Sequence, residues 1–281
     1  MMALKQKNAM IKISLYISYA ALLLCFLFPL FWIVSLSLKT RQEVFAAPPR
    51  LIPSEIAFGN YTHVLQNTSV IQYLLNSGKI VTATVLLTLA VAIPAAFALS
   101  RLQFSWKRKF LFIILMTQMI SAVVVSVPLY RFFSQAGVLN NFYVLVIVYA
   151  AVVLPFSTWF LKGYLDTIPN DLDEAAIIDG CNRWQTLTKV IFPVSVPGVA
   201  SVTILIAVQS WSQFVVPFIL LDDSRLYPVS VGIVNLQSTQ TSVTTHYLAA
   251  GSVLSILPVI ILFVLLQRYI ISALTSGAVK G

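Results

Sequence analysis

The sequence predicts an all-α integral membrane protein with six transmembrane helices and a two-helix loop on the cytoplasmic side. Three observations predict it. First, the 281 residues are 59% hydrophobic and 10% charged, with a mean hydropathy of +0.90, whereas soluble domains run near roughly 25% charged. Second, six uncharged stretches reach the length of about 20 residues that a helix needs to cross a bilayer. Third, these stretches are continuously apolar, without the alternation of a membrane barrel strand. Only closed backbone hydrogen bonding survives in lipid, so helices follow.

In order, the spans fall at about 13–38, 80–99, 110–130, 142–161, 198–221 and 247–267. Pro29, Pro94, Pro128, Pro155, Pro217 and Pro258 lie inside them. Kinks of that kind are tolerated where neighbouring helices satisfy the freed backbone groups. The first span exceeds a signal-peptide core of roughly 7–15 residues and is read as a retained anchor. The connection 39–79 carries Pro48, Pro49 and Pro53, and from Val70 onward it is apolar enough to join the second span. The turn at 100–109 is short and basic, and residues 222–246 form a loop rich in Ser, Thr and Gln.

Basic residues set the orientation. With both termini inside, twelve of the 18 Lys and Arg residues fall in inner segments and six in outer ones. That bias predicts a multi-pass protein with an even number of spans and both ends in the cytoplasm. It also accounts for the net charge of +9 through topogenic charge and anionic headgroups of the lipid bilayer. No basic run interleaved with aromatics marks a nucleic-acid surface. Cys25 lies in a span and Cys181 in a cytoplasmic segment, so no disulfide joins them and each is expected as a small buried hydrophobe.

Five of the nine acidic residues lie in one inner segment: Asp166, Asp171, Asp173, Glu174 and Asp179. A mere connector between spans could be shorter. Residues 169–193 read as two short helices. Asp171 is placed as N-cap with Glu174 three residues on, as in a capping box, and Gly180 suits the C′ position. Helical spacing puts Leu172, Ala175, Ala176 and Asp179 on one face. The second helix presents Trp184, Leu187 and Ile191 on one side, and Pro193 ends it. Apolar faces on isolated short helices need a partner to bury them.

Glu174-Ala175-Ala176, then Gly180, then Val190-Ile191-Phe192-Pro193 resembles the EAA loop of ABC importer permeases, with Val190 and Phe192 where the consensus has Ile and Leu. Its place between the fourth and fifth of six spans strengthens the match. Leu154-Pro155-Phe156 with Trp159, Phe97 through Leu102, and the ending from Gln267 resemble the carbohydrate branch, and within it the second, smaller permease of maltose-type importers. One departure stands out: Trp211-Ser212-Gln213-Phe214 replaces the branch's frequent Trp-Asn-Glu-Phe.

The resemblance implies a transport subunit, not an enzyme. A separate ATP-binding cassette ATPase dimer would dock the loop through Glu174, Ala175, Ala176, Asp179 and Gly180. A second permease subunit would complete a heterodimer, an extracytoplasmic substrate-binding protein would deliver the solute, and residues 275–281 would approach the ATPases. The solute would be a sugar or oligosaccharide; with no basic residue deep in the spans, a neutral one is favoured. Gln118, Tyr130, Gln209, Trp211, Ser212 and Gln213 are the polar and aromatic candidates for its path, and Asn235, Gln237 and Gln240 for the binding-protein contact.

The chain shows no G-x-x-x-x-G-K-[ST] stretch to cradle a phosphate. It also lacks a metal-ligand cluster and a nucleophile–base constellation, so no catalytic residue, metal or cofactor is expected. The alternative is an ion-coupled secondary transporter. Such a carrier usually has ionisable groups near the midplane, and none lies in the six runs.

Overall fold

The computed structural model describes residues 2–239 and 245–278. All regular structure among them is helical: α1 (Met2–Ser37), α2 (Arg41–Val44), α3 (Gly59–Asn67), α4 (Val70–Arg101), α5 (Lys107–Thr117), α6 (Ala122–Gln135), α7 (Phe142–Leu165), α8 (Asp171–Ile178), α9 (Arg183–Gln185), a π-helical turn (Thr186–Ile191), α10 (Phe192–Trp211), α11 (Val215–Leu220), a short 3-10 turn, α12 (Val229–Thr239) and α13 (Thr245–Ala278). The all-α expectation holds. Among the described residues, five helical stretches are long and apolar enough to cross a membrane: Lys12–Ser37, Val70–Arg101, Phe142–Leu165, Arg183–Trp211 and Thr245–Leu265.

The stretch 110–130, expected as one span, is two helices. The Gln118 N–H is already shared between the carbonyls of Leu115 and Met116. Ser121 then turns extended (φ −66°, ψ 134°) and its side chain accepts from the Val123 N–H to start α6. A serine with that geometry begins a helix rather than continuing one. The loop expected over 222–246 likewise contains a helix, α12. Cys25 is exposed and Cys181 half-buried, so neither is the buried hydrophobe expected; both are free thiols.

The chain forms two compact units. The first comprises residues 1–68 and 235–254. Its polar knot is built on the end of α1. Asn60 donates to the carbonyls of Ser37 (2.8 Å) and Lys39 (2.9 Å). The buried Lys39 ammonium sits over the Trp32 ring, 4.6 Å from its centroid, and bonds the Arg50 carbonyl. Thr40 and Glu43 close a capping box at α2. The rings of His63 and His246 both pack on Tyr247 at 4.2 Å.

The second unit, residues 69–234 and 255–281, is organised around α4, α7 and α10. The buried positions of α4 run Val70, Tyr73, Ser77, Ile80, Val81, Thr84, Thr88, Ala92, Ala96, Phe97 and Leu99, mostly at the three-and-four spacing of one helix face. Lipid is as apolar as leucine, so packing here relies on close fit between small residues rather than on escape from water. Ala92 and Ala96 of α4 meet Leu161 and Leu165 of α7 and Val202 and Ile206 of α10, closed by Ile168, Leu187 and Ile191. Gly198 permits a still closer approach: a Cβ there would lie 2.4 Å from Cδ1 of the Tyr164 ring. A second cluster of Ile80, Leu145, Tyr149, Val216 and Leu220 holds α11 against α4 and α7.

Pro193 does not end a helix. Helical structure runs on from Arg183 to Trp211. The π turn explains this: the Phe192 N–H bonds the Leu187 carbonyl, five residues back. The widened turn absorbs the donor that Pro193 lacks.

Candidate coupling segment and solute pathway

Between α7 and α8 the chain turns through Ile168, which is buried, and Pro169. The expected capping box of Asp171 and Glu174 does not form. Asn170 is already helical (φ −68°, ψ −21°) and caps α8 without its side chain. Its carbonyl instead accepts from the N–H groups of Asp173 (2.9 Å) and Glu174 (3.1 Å). A side-chain cap requires an extended residue, and Asp171 lies inside the helix. The three acidic residues of the first turn, Asp171, Asp173 and Glu174, still face the positive end of the helix dipole.

The other end is a Schellman motif. Gly180 N–H bonds the Ile177 carbonyl (3.0 Å) and Cys181 N–H bonds the Ala176 carbonyl (2.9 Å). Gly180 has φ +80°, a backbone state that glycine adopts without the steric cost met by other residues.

Burial divides α8 differently from the expected face. Asp173 and Ala176 are buried and Leu172 half-buried. Glu174, Ala175, Asp179 and Gly180 are all exposed, so the two alanines part company. Ile178 is 85% exposed, Ile177 49% and Trp184 63%. Trp184 therefore leaves the apolar side on which Leu187 and Ile191 are buried. The resulting surface is apolar with carboxylates among its residues. Ile177, Ile178 and Trp184 belong to it, Trp184 by leaving the apolar side expected for it with Leu187 and Ile191, and Ile177 and Ile178 by standing directly before Asp179 and Gly180.

A second feature had no local signal at all. Arg101, the last residue of α4, lies with Nε 2.8 Å from Asp173 Oδ2, and the two side chains are 7% and 9% exposed. The contact is off the ideal hydrogen-bond direction, which makes it an ion pair rather than an aligned hydrogen bond. Arg101 Nη2 also donates to the Ile168 carbonyl at 2.9 Å. Beside it, Ser100 donates to Asp166 Oδ1 at 2.7 Å, and Asp166 pairs with Lys162.

The pathway candidates fall at helix breaks and exposed faces. Trp211, Ser212 and Gln213 stand together where α10 gives way to α11. Trp211 donates from Nε1 to the Ser255 carbonyl at 3.1 Å. It lines a cavity of about 200 Å³ with Gly78, Val81, Thr82, Ala207, Val208, Pro258, Val259 and Leu262. Ser212 is exposed and bonds back to the Val208 carbonyl (2.9 Å). Gln213 is half-buried; its carbonyl accepts from Ser230 Oγ (2.7 Å) and Tyr149 (3.4 Å). Gln209 is exposed on α10. Gln118 is exposed at the end of α5 and Tyr130 on α6, and neither shares a hydrogen bond or ring contact with the Trp211 group. Asn235 is half-buried. The side chain of Gln237, all of Gln240, the side chains of 275–278 and all of residues 279–281 lie outside the described residues.

Residues 88–276 match the model of the family described as binding-protein-dependent transport system inner membrane component. The chain belongs to that family. It is similar to the trehalose/maltose transport system permease protein MalG of Thermococcus litoralis, 32% identical over 272 residues that cover 96% of this chain and 97% of that one. The trehalose transport system permease protein SugB of Mycobacterium tuberculosis is 31% identical over 269 residues, 95% of each chain. The fold of this chain matches a chain from the crystal structure of a bacterial ABC transporter involved in the import of the acidic polysaccharide alginate, with a TM-score of 0.80 and 26% identity over 94% of this chain and 97% of that chain. As a member of the family, this chain is a membrane permease subunit of a binding-protein-dependent ABC importer. Family and fold support that reading and lend nothing to an ion-coupled secondary transporter.

Proposed function

We propose that this permease subunit carries a sugar or oligosaccharide, and that ATP hydrolysis on a separate ATPase dimer drives it through the exposed face of α8. One observation carries the coupling part: Ile177, Ile178 and Trp184 are solvent-exposed beside Glu174, Asp179 and the positive-φ Gly180. An apolar surface rimmed by charge marks a protein contact. Ala175 and Gly180 add little bulk, so a partner backbone can approach closely. The same reading places residues 169–193 and both termini in the cytoplasm and pairs this chain with a second permease subunit. A substrate-binding protein meets the opposite side. Solute passes near Gln118, Tyr130, Gln209, Trp211, Ser212 and Gln213, where Trp211 and Tyr130 stack on sugar rings. The ATPase supplies energy by binding two permease states with different affinity.

The test is reconstitution of the complex in vesicles with Ile178→Asp or Glu174→Arg. Both variants are expected to insert normally, lose ATPase binding and lose uptake of labelled neutral and acidic sugars. Uptake by the chain without any ATPase would sink the proposal.

A further inference from the structure

We propose that the Arg101–Asp173 ion pair is a rigid strut that delivers displacement of α8 to α4; this rests on the reading of α8 as the ATPase contact. Few residues of α8 are buried. Of its eight residues only Asp173 and Ala176 are buried, with Leu172 partly so. An alanine contributes small apolar area; α8 packs on the π-helical turn, and its charged tie to α4 is Asp173. Two successive carboxylates divide the work: Glu174 faces outward, and Asp173 faces inward to Arg101.

Arg101 is suited to the task. Its guanidinium is a planar fork with fixed donor directions. Here one fork touches α8 through Asp173 (2.8 Å), the connecting turn through the Ile168 carbonyl (2.9 Å) and α4 itself through Ser100 Oγ (3.4 Å). Both side chains are more than nine-tenths buried, where opposite charges separate far less readily than on a surface. A hinge needs the reverse, namely exposure and conformational freedom. The one glycine of this segment with positive φ, Gly180, follows α8 rather than standing between α8 and α4.

The far part of α4 is where movement matters. Gly78, Val81 and Thr82 line the cavity beside Trp211, and Gln72 and Asn76 hold the carbonyl of Arg225. One helix therefore connects Asp173 with the residues around the proposed path. Arg101 and Asp173 are positioning residues in this scheme and touch neither solute nor ATP.

The experiment uses the reconstituted importer with its partner permease, ATPases and binding protein. Arg101→Cys/Asp173→Cys is expected to insert and retain the ATPases. Uptake should fall about tenfold, with hydrolysis no longer responsive to loaded binding protein. Bridging the two thiols with a short bis-methanethiosulfonate reagent is expected to restore uptake, since a strut works when locked. Asp173→Asn is the second variant, expected to lose coupling about tenfold while Asp173→Glu recovers part of it. Abolition of uptake by the bridge would show that the pair must open during the cycle and overturn the strut. Wild-type uptake by Asp173→Asn, or by the unbridged double variant, would overturn it too. In all these outcomes the wild-type chain still binds the ATPases; failure of that binding overturns the coupling reading and the strut with it.

Discussion

Replacing Gly180 by alanine isolates a backbone effect. At φ +80° an L-residue meets its own carbonyl, at a cost of about 1–2 kcal/mol. Nothing lies within 4 Å of the position its Cβ would take, so steric crowding adds nothing. The Schellman bonds from Gly180 and Cys181 must loosen to relieve the strain, and Ile178 then leaves its place. A penalty of about 1–2 kcal/mol corresponds to a factor of about 5–30. The expected result is an affinity for the ATPase subunit lowered by that factor, measured by titration in detergent. The melting temperature should change little, because the motif sits at an exposed tip. Gly180→Asn should lose less, since asparagine tolerates this region. Wild-type affinity in the alanine variant would refute the reasoning.

Gly198→Ala should destabilise the second unit by about 1–2 kcal/mol despite its better helix propensity, because the new methyl meets the Tyr164 ring; the loss should shrink in a Tyr164→Ala background, read by thermal unfolding. Asn140→Ala should cost about 1–2 kcal/mol, since Asn140 has φ +58° and its Oδ1 accepts from the N–H groups of Asp222 (2.7 Å) and Asp223 (3.0 Å); Asn140→Gly should relieve only the strain. Hydrogen bonds from Arg225 hold the Asp223 carboxyl below its ordinary value of 3.8. The depressed value stabilises the loop above pH 3.8 and loses that contribution as pH falls through the lower folded value, so hydrogen exchange at 222–228 should quicken there and not at neutral pH.

The spans α4 and α7 were legible because unbroken apolar runs in lipid have one solution. The break at 118–121 was not, since hydrophobicity continues across it and a single serine sets the new helix start. The Schellman end of α8 was legible from Gly180, whose use is local. The start was misjudged because Asn170 entered the helix directly and left Asp171 no capping role. Asp173 was invisible as a partner of Arg101: an ion pair between distant parts of a chain leaves no trace in spacing. The phase of Trp184 against Leu187 and Ile191 was lost to the π turn, which adds a residue to the helical repeat. The path residues remain the least legible, because glutamine and serine in a span serve equally well as helix-to-helix bonds.

That π turn has a mechanical consequence. By absorbing Pro193 it leaves residues Arg183–Trp211, 29 in all, as one unbroken helical stretch about 43 Å long. Pivoted near Arg183, a tilt of about 10° carries Trp211 sideways by about 7 Å, more than one helical turn of rise. A small nudge at one end is thus geared into a large sweep at the other, where the Trp211 ring borders its cavity.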